Sequence, residues 1–170
     1  ATVNRNVANF KAMFNRPLDY GIIEINPIIR VKQLEENNVR ERVLSREEFE
    51  VLYYHCSEQI KGPVLIAYYL PMRQAEILNL AWEEIDLINK FIRLGGQRTK
   101  NKTGRAIPFN QRIFYYLISL SRPDQDGYVF EQRWWNRREF VKAVNMAGLG
   151  EFTFHDLRHC AINNLRLAGN

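Results

Sequence analysis

Residues 62–70, GPVLIAYYL, are almost wholly apolar. A helix that is apolar all round belongs inside a folded protein. The stretch is far too short for a bilayer, and no other apolar run approaches the roughly 20 residues a span requires. This segment therefore predicts a buried helix that other elements must cover. With 170 residues there is room for one domain, or one domain plus part of another. The N-terminal ATVNRNVANFK carries no signal-peptide pattern. Cys56 and Cys160 lie far apart and outside any CxxC spacing, which points to a reduced, cytoplasmic setting without structural zinc.

The covering elements are legible from spacing. VLSREEFEVLYYHC opens with Ser45 and Glu48 as a capping box and presents Phe49, Leu52, Tyr53 and Cys56 on one face. RQAEILNLAW, QRIFYYLISL, RWWNRREFVKAVNMAGL and TFHDLRHCAINNLRLAG each predict a helix, the last with Thr153 at its cap. KFIRLGG and RAIPF predict two short strands around QRTKNKTG, a β-hairpin with a basic loop. GYVFE reads as a short strand or extended piece. At the front, Val3, Val7, Phe10, Phe14 and Leu18 predict an amphipathic helix ending near Gly21, which Pro17 should kink or divide. An Asn-Pro turn comes next at Asn26–Pro27. Residues 31–42 are charged and read as a linker. The fold class is mainly α with a small antiparallel β-sheet (α+β). One helix cannot bury its own apolar stripe. Residues 1–30 therefore belong to a neighbouring domain or dock on the rest of the chain.

The net charge of +5 favours a polyanionic partner. GGQRTKNKTGR holds Arg98, Lys100, Lys102 and Arg105 without an acid, which suits either a solvated turn or a phosphate surface. Arg73 follows Pro71 and opens a helix, where free N–H groups favour anions. Glu76 lies one turn on and could hold its guanidinium. Lys100 and Lys102 both sit where a hairpin lysine could reach into a groove. His155 and Arg158 share one face of the last helix start, so an imidazole and a guanidinium could meet one phosphate. His159 could join them. The bland reading of FHDLRH is a polar helix cap. With only three histidines and no carboxylate cluster at ligand spacing, a metal nuclease is disfavoured.

The order of these pieces resembles the tyrosine recombinase (phage integrase) family. LPMRQAEILNLAWEEIDL resembles its first arginine box, RTKNKTGRAIPF its β-hairpin, and FHDLRHC its second box. Pro71 stands where the family usually has Gly, and Cys160 where Thr or Ser is common. The resemblance implies a DNA breaking-rejoining catalytic domain at residues 43–170. Residues 1–30 would be the last helices of a core-binding domain and 31–42 a linker. It implies Arg73 and Arg158 as the phosphate clamp and Lys100, eight residues before Pro108, as general acid. His155 would be the phosphate or proton partner, with Glu76 and His159 in support. Arg98, Lys102 and Arg105 would contact DNA.

In that family a tyrosine attacks the phosphodiester and leaves a 3′-phosphotyrosyl link. Two guanidiniums can stabilise the developing charge without a metal or other cofactor. The resemblance places the nucleophile well after His155–Arg158, whereas all eight tyrosines lie at or before Tyr128. The expectation is a site-specific recombinase, bacterial or phage-encoded, whose present chain stops before its nucleophile and binds double-stranded DNA without cleaving it. The full protein would assemble as a tetramer on DNA, and this chain would be a monomer in solution without membrane contact. The alternative is a noncatalytic DNA-binding protein that uses the same basic cleft.

Overall fold

The computed structural model describes residues 2–35, 42–96, 104–121 and 126–169. The chain forms two compact units, Ala1–Arg40 and Glu41–Asn170.

The first unit is built on one helix, α1 (Thr2–Asp19), none of whose residues is buried. Pro17 does not divide it, because the proline falls in the last turn, where the helix is already ending. Gly21, at φ +67°, closes that end. Ile22 N–H donates to the Pro17 carbonyl at 2.9 Å and Gly21 N–H to Leu18 at 3.0 Å, the paired bonds of a glycine cap. The expected Asn26–Pro27 turn is present, and Asn26 is buried. Its amide donates to Lys11 O at 3.0 Å and Asn15 Oδ1 at 2.7 Å, pinning the segment after α1 to that helix.

The second unit surrounds the apolar stretch. Helix α2 (Arg46–His55) begins with the predicted reciprocal cap. Ser45 N–H donates to Glu48 Oε2 at 2.9 Å, and Glu48 N–H to Ser45 Oγ at 3.1 Å. Helix α3 (Glu58–Tyr69) is the buried one, with every residue from Gly62 to Tyr68 inside. It packs against α2, α4 (Gln74–Leu78), α5 (Gln111–Leu120) and, most extensively, α7 (Phe154–Leu167). Helix α6 (Arg137–Met146) packs on α2. Phe49 stacks on Tyr68 with centroids 3.6 Å apart, joining α2 to α3. Three antiparallel strands, β1 (Ile85–Asp86), β2 (Phe91–Leu94) and β3 (Arg105–Pro108), form one sheet in that order. Ile92 pairs with Ile107, and both are buried.

One expectation is corrected. The helix from Arg73 stops at Leu78 instead of running to Trp82. Val129 N–H donates to Leu80 O at 2.8 Å and Trp82 N–H to Gly127 O at 3.0 Å, so tertiary pairing draws Leu80 and Ala81 out of the helix. A 3-10 turn, Trp82–Glu84, then leads into β1, a strand too short to leave a period-2 pattern in the sequence. GYVFE takes the lesser of the two forms expected for it, with one bridge, Tyr128 to Ala81, and no full strand. Adjacent tyrosines part company: Tyr54 and Tyr115 face solvent, because neighbouring residues on a helix point in different directions.

Candidate functional site

Pro71 shapes the approach to Arg73. The residue before a proline is held out of the helical region, and Leu70 ends α3 at φ −120°, ψ 136°. Met72 is buried, so Arg73 lies between a core anchor and the first turn of α4. Glu76, the third residue of that helix, turns back toward it. Its Oε2 accepts the Arg73 N–H at 2.6 Å and its Oε1 accepts Arg73 Nη1–H at 3.0 Å. Glu76 is buried, whereas Arg73 keeps about a third of its side chain accessible. The guanidinium therefore stays at the surface on a rigid carboxylate.

The same carboxylate takes a second guanidinium. Arg105 Nη2–H donates to Glu76 Oε2 at 2.7 Å across 29 positions of sequence. Strand alternation explains the reach. Side chains two apart share a face, so Arg105 lies on the side of the sheet where Ile107 is buried.

Helix α7 supplies the other wall. Asp156 is buried and accepts both the Thr153 N–H and the Thr153 hydroxyl on Oδ2, each at 2.7 Å. Thr153 thus holds the predicted cap position, but it serves as donor and Asp156 as acceptor. One turn is fixed in this way, and from it His155 projects to solvent while Arg158 is half-buried. His159 is exposed and meets His155 edge-on, with ring centroids 4.9 Å apart at 85°. Met72, Gln74, Thr153, Phe154, His155 and Arg158 line one cavity of about 210 Å³, so the starts of α4 and α7 face the same space.

Arg158 brings a buried donor to this region. Its Nη1 is buried and makes no hydrogen bond to any described residue. Burial pushes its pKa below the usual guanidinium value. The charge of Arg73 pushes the same way, Glu76 opposes, and Arg105 adds to the lowering. These four groups therefore share one electrostatic field, with three cations against one carboxylate. Such a field, backed by a donor with no partner, favours an anion.

The sequence-predicted residues Arg73, Glu76, Arg105, His155, Arg158 and His159 fall at this site. Arg98, Lys100 and Lys102 lie outside the described residues. Three contributors escaped the sequence reading. Asp156 was detectable, because Thr-x-x-Asp before an apolar run is a capping pattern. Met72 and Gln74 carried no signal, since their place in the lining comes from packing alone.

Comparison with known proteins resolves what kind of domain this is. The Phage integrase family profile matches residues 42–169. The chain belongs to the phage integrase family. The integrase of Salmonella phage P22 is 27% identical over 168 residues, covering 89% of this chain and 43% of that protein. A shufflon-specific DNA recombinase of Escherichia coli is 31% identical over 170 residues, covering 95% and 43%. The chain thus spans less than half the length of these curated relatives. Among solved structures, the Tn1549 transposon integrase in complex with transposon right end DNA superposes with a TM-score of 0.76. It is 17% identical, covering 99% of this chain and 67% of that one. The integrase of mycobacterium phage Brujita superposes with a TM-score of 0.62 at 22% identity, covering 99% and 59%. These structural likenesses establish the shared fold of the helical domain and its small sheet.

Proposed function

We propose that this chain carries the phosphate-binding site of a tyrosine-type site-specific DNA recombinase. The observation that carries the reading is the pairing of Arg73 and Arg105 on the buried carboxylate of Glu76, beside a cavity into which the half-buried Arg158 brings a donor without a partner among the described residues. The relatives are an integrase and a DNA recombinase, and the site suits their kind of substrate. A phosphodiester is anionic, and attack on it adds charge to its nonbridging oxygens. Arg73 and Arg158 clamp those oxygens, and a guanidinium fork suits that geometry. His155 bonds the phosphate or assists proton transfer, with His159 beside it. Lys100 protonates the leaving 5′-oxygen. Residues 43–170 act as the catalytic domain, residues 31–42 as a linker and residues 1–30 as the end of a core-binding domain.

Strand cleavage in this reading passes through a 3′-phosphotyrosyl link, and no tyrosine follows Arg158 within the 170 residues. In this reading the 170 residues bind double-stranded DNA as a monomer without forming that link, and a tetramer assembles on DNA only when a segment bearing the nucleophile is present. A cytoplasmic setting suits such a substrate. No described helix is long and apolar enough to cross a membrane.

A nicked suicide DNA substrate tests the proposal. The longer protein with its tyrosine should give a covalent protein–DNA adduct, which Arg158→Gln abolishes. An adduct formed by the 170-residue chain would overturn the assignment of the nucleophile. Salt-dependent DNA binding by the longer protein with no adduct would favour a noncatalytic DNA-binding protein instead.

A further inference from the structure

We infer that Arg105 is a positioning residue: through the shared Glu76 carboxylate it sets the pose of Arg73 and ties strand β3 to the phosphate site. The inference rests on the reading of Arg73 and Arg158 as phosphate-binding groups.

The geometry commits Arg105 to a carboxylate before any anion arrives. Its Nη2 lies 2.7 Å from Oε2 of a glutamate that is only 4% exposed, although about a third of the Arg105 side chain stays accessible. Turning outward would strip a buried anion of one of its two cations, and a buried charge without its partner is strongly unfavourable. Arg105 therefore stays on Glu76 when DNA arrives.

The consequence for Arg73 is both geometric and electrostatic. Glu76 Oε2 receives the Arg73 N–H and Arg105 Nη2–H, while Oε1 receives Arg73 Nη1–H. Three donors on two oxygens fix the carboxylate plane, and that plane fixes the Arg73 fork. One carboxylate shared by two guanidiniums also leaves a net positive charge. Without Arg105, Glu76 would neutralise Arg73 alone, and the attraction for an anion would fall. The 29-residue span makes the bond a tie between the start of α4 and the hairpin strand. The strand after the basic loop is thereby held in register with the arginine clamp.

The test uses the 170-residue chain, inorganic phosphate at low ionic strength, and the guanidinium Nε–Hε NMR resonances of Arg73 and Arg158, assigned with Arg73→Lys and Arg158→Lys. Arg105→Gln should move the Arg73 resonance before any anion is added and weaken phosphate binding roughly three- to tenfold. Glu76→Gln should move the Arg73 resonance as well, because the carboxylate plane that holds the fork is lost. The double variant should move that resonance no further than Glu76→Gln alone, because one route is being cut twice. Arg105→Lys, which keeps a charge and a donor, should recover most of the affinity. In DNA binding, Arg105→Gln should leave the slope of log affinity against log salt unchanged, whereas loss of a direct phosphate contact lowers it by about 1. An Arg73 resonance that the double variant moves further than Glu76→Gln alone, a lower salt slope, or an Arg73 resonance unmoved by Arg105→Gln each overturn the inference. If the wild-type chain takes up no phosphate yet Arg105→Gln still moves Arg73, the positioning stands and the phosphate reading falls. Should Arg105→Gln fail to fold, Arg105→Lys carries the comparison, and an Arg73 resonance that it leaves in place overturns the inference.

Discussion

Asp156 Oδ2 accepts two hydrogen bonds from Thr153, one from its backbone N–H and one from its hydroxyl, at 2.7 Å each. This carboxylate sets the first turn of α7, and with it the directions of His155 and Arg158. Removing a helix cap costs about 1–2 kcal/mol, and here two donors would lose their acceptor. Asp156→Ala should therefore lower stability by about that amount in urea unfolding. It should also weaken phosphate binding, although Asp156 touches no ligand. A variant as stable as wild type would show that the cap contributes little.

Gly62 lies in the middle of α3, where alanine is normally the better helix former by about 1 kcal/mol. Packing opposes the exchange. A Cβ at this position would lie 2.4 Å from both Phe130 Cε1 and Tyr116 Oη. Overpacking of this kind costs about 1–3 kcal/mol. With two aromatic groups obstructing at once, the clash outweighs the propensity. Gly62→Ala should lower the melting temperature, and an unchanged or raised value would refute this account of the α3 environment.

Arg112 joins α5 to α2 by donating both Nη groups to Glu50, with the Nη2–Oε2 bond at 2.8 Å. Its guanidinium also lies over the Tyr53 ring, 5.0 Å from the centroid. The hydrogen bonds from Arg112 hold the Glu50 carboxyl below its ordinary pKa, and partial burial opposes them. A depressed carboxylate pKa stabilises the fold above the unfolded-state value and ceases to do so as pH falls through the folded-state value. Both side chains are partly in solvent, so the contribution is on the order of 0.5 kcal/mol. The stability difference between wild type and Glu50→Gln should shrink as acid is added below the ordinary glutamate range. A constant difference would show that the charge plays no part.

The two thiols should be inert in the native protein. Burial pushes Cys56 up to about 12 and raises Cys160 as well. Cys160 Sγ also accepts the Leu44 N–H at 3.3 Å, so it has a structural role. Thiolate is the reactive form. Iodoacetamide at about pH 8, just below an ordinary thiol pKa, should label neither cysteine until urea unfolds the chain. Rapid labelling of the folded protein would contradict this burial.

Local chemistry is what the residues determined by themselves. An apolar run that must be buried, capping patterns at Ser45 and Thr153, strand alternation around a basic loop, and the His155–Arg158 spacing all act within a few positions. A reading of neighbours captures such terms, and with them most helices, two of the three strands and six residues of the site. Tertiary structure decided what depends on distant partners. Leu80 and Ala81 left the helical pattern because backbone groups at 127–129 were there to pair with. One tyrosine of a pair turned outward because the helix axis, set by packing, determined which side faced solvent. Arg105 became the partner of Glu76 because folding brought together two residues 29 positions apart. Spacing can place a guanidinium on a strand, but only the packed structure supplies the buried carboxylate that gives it work.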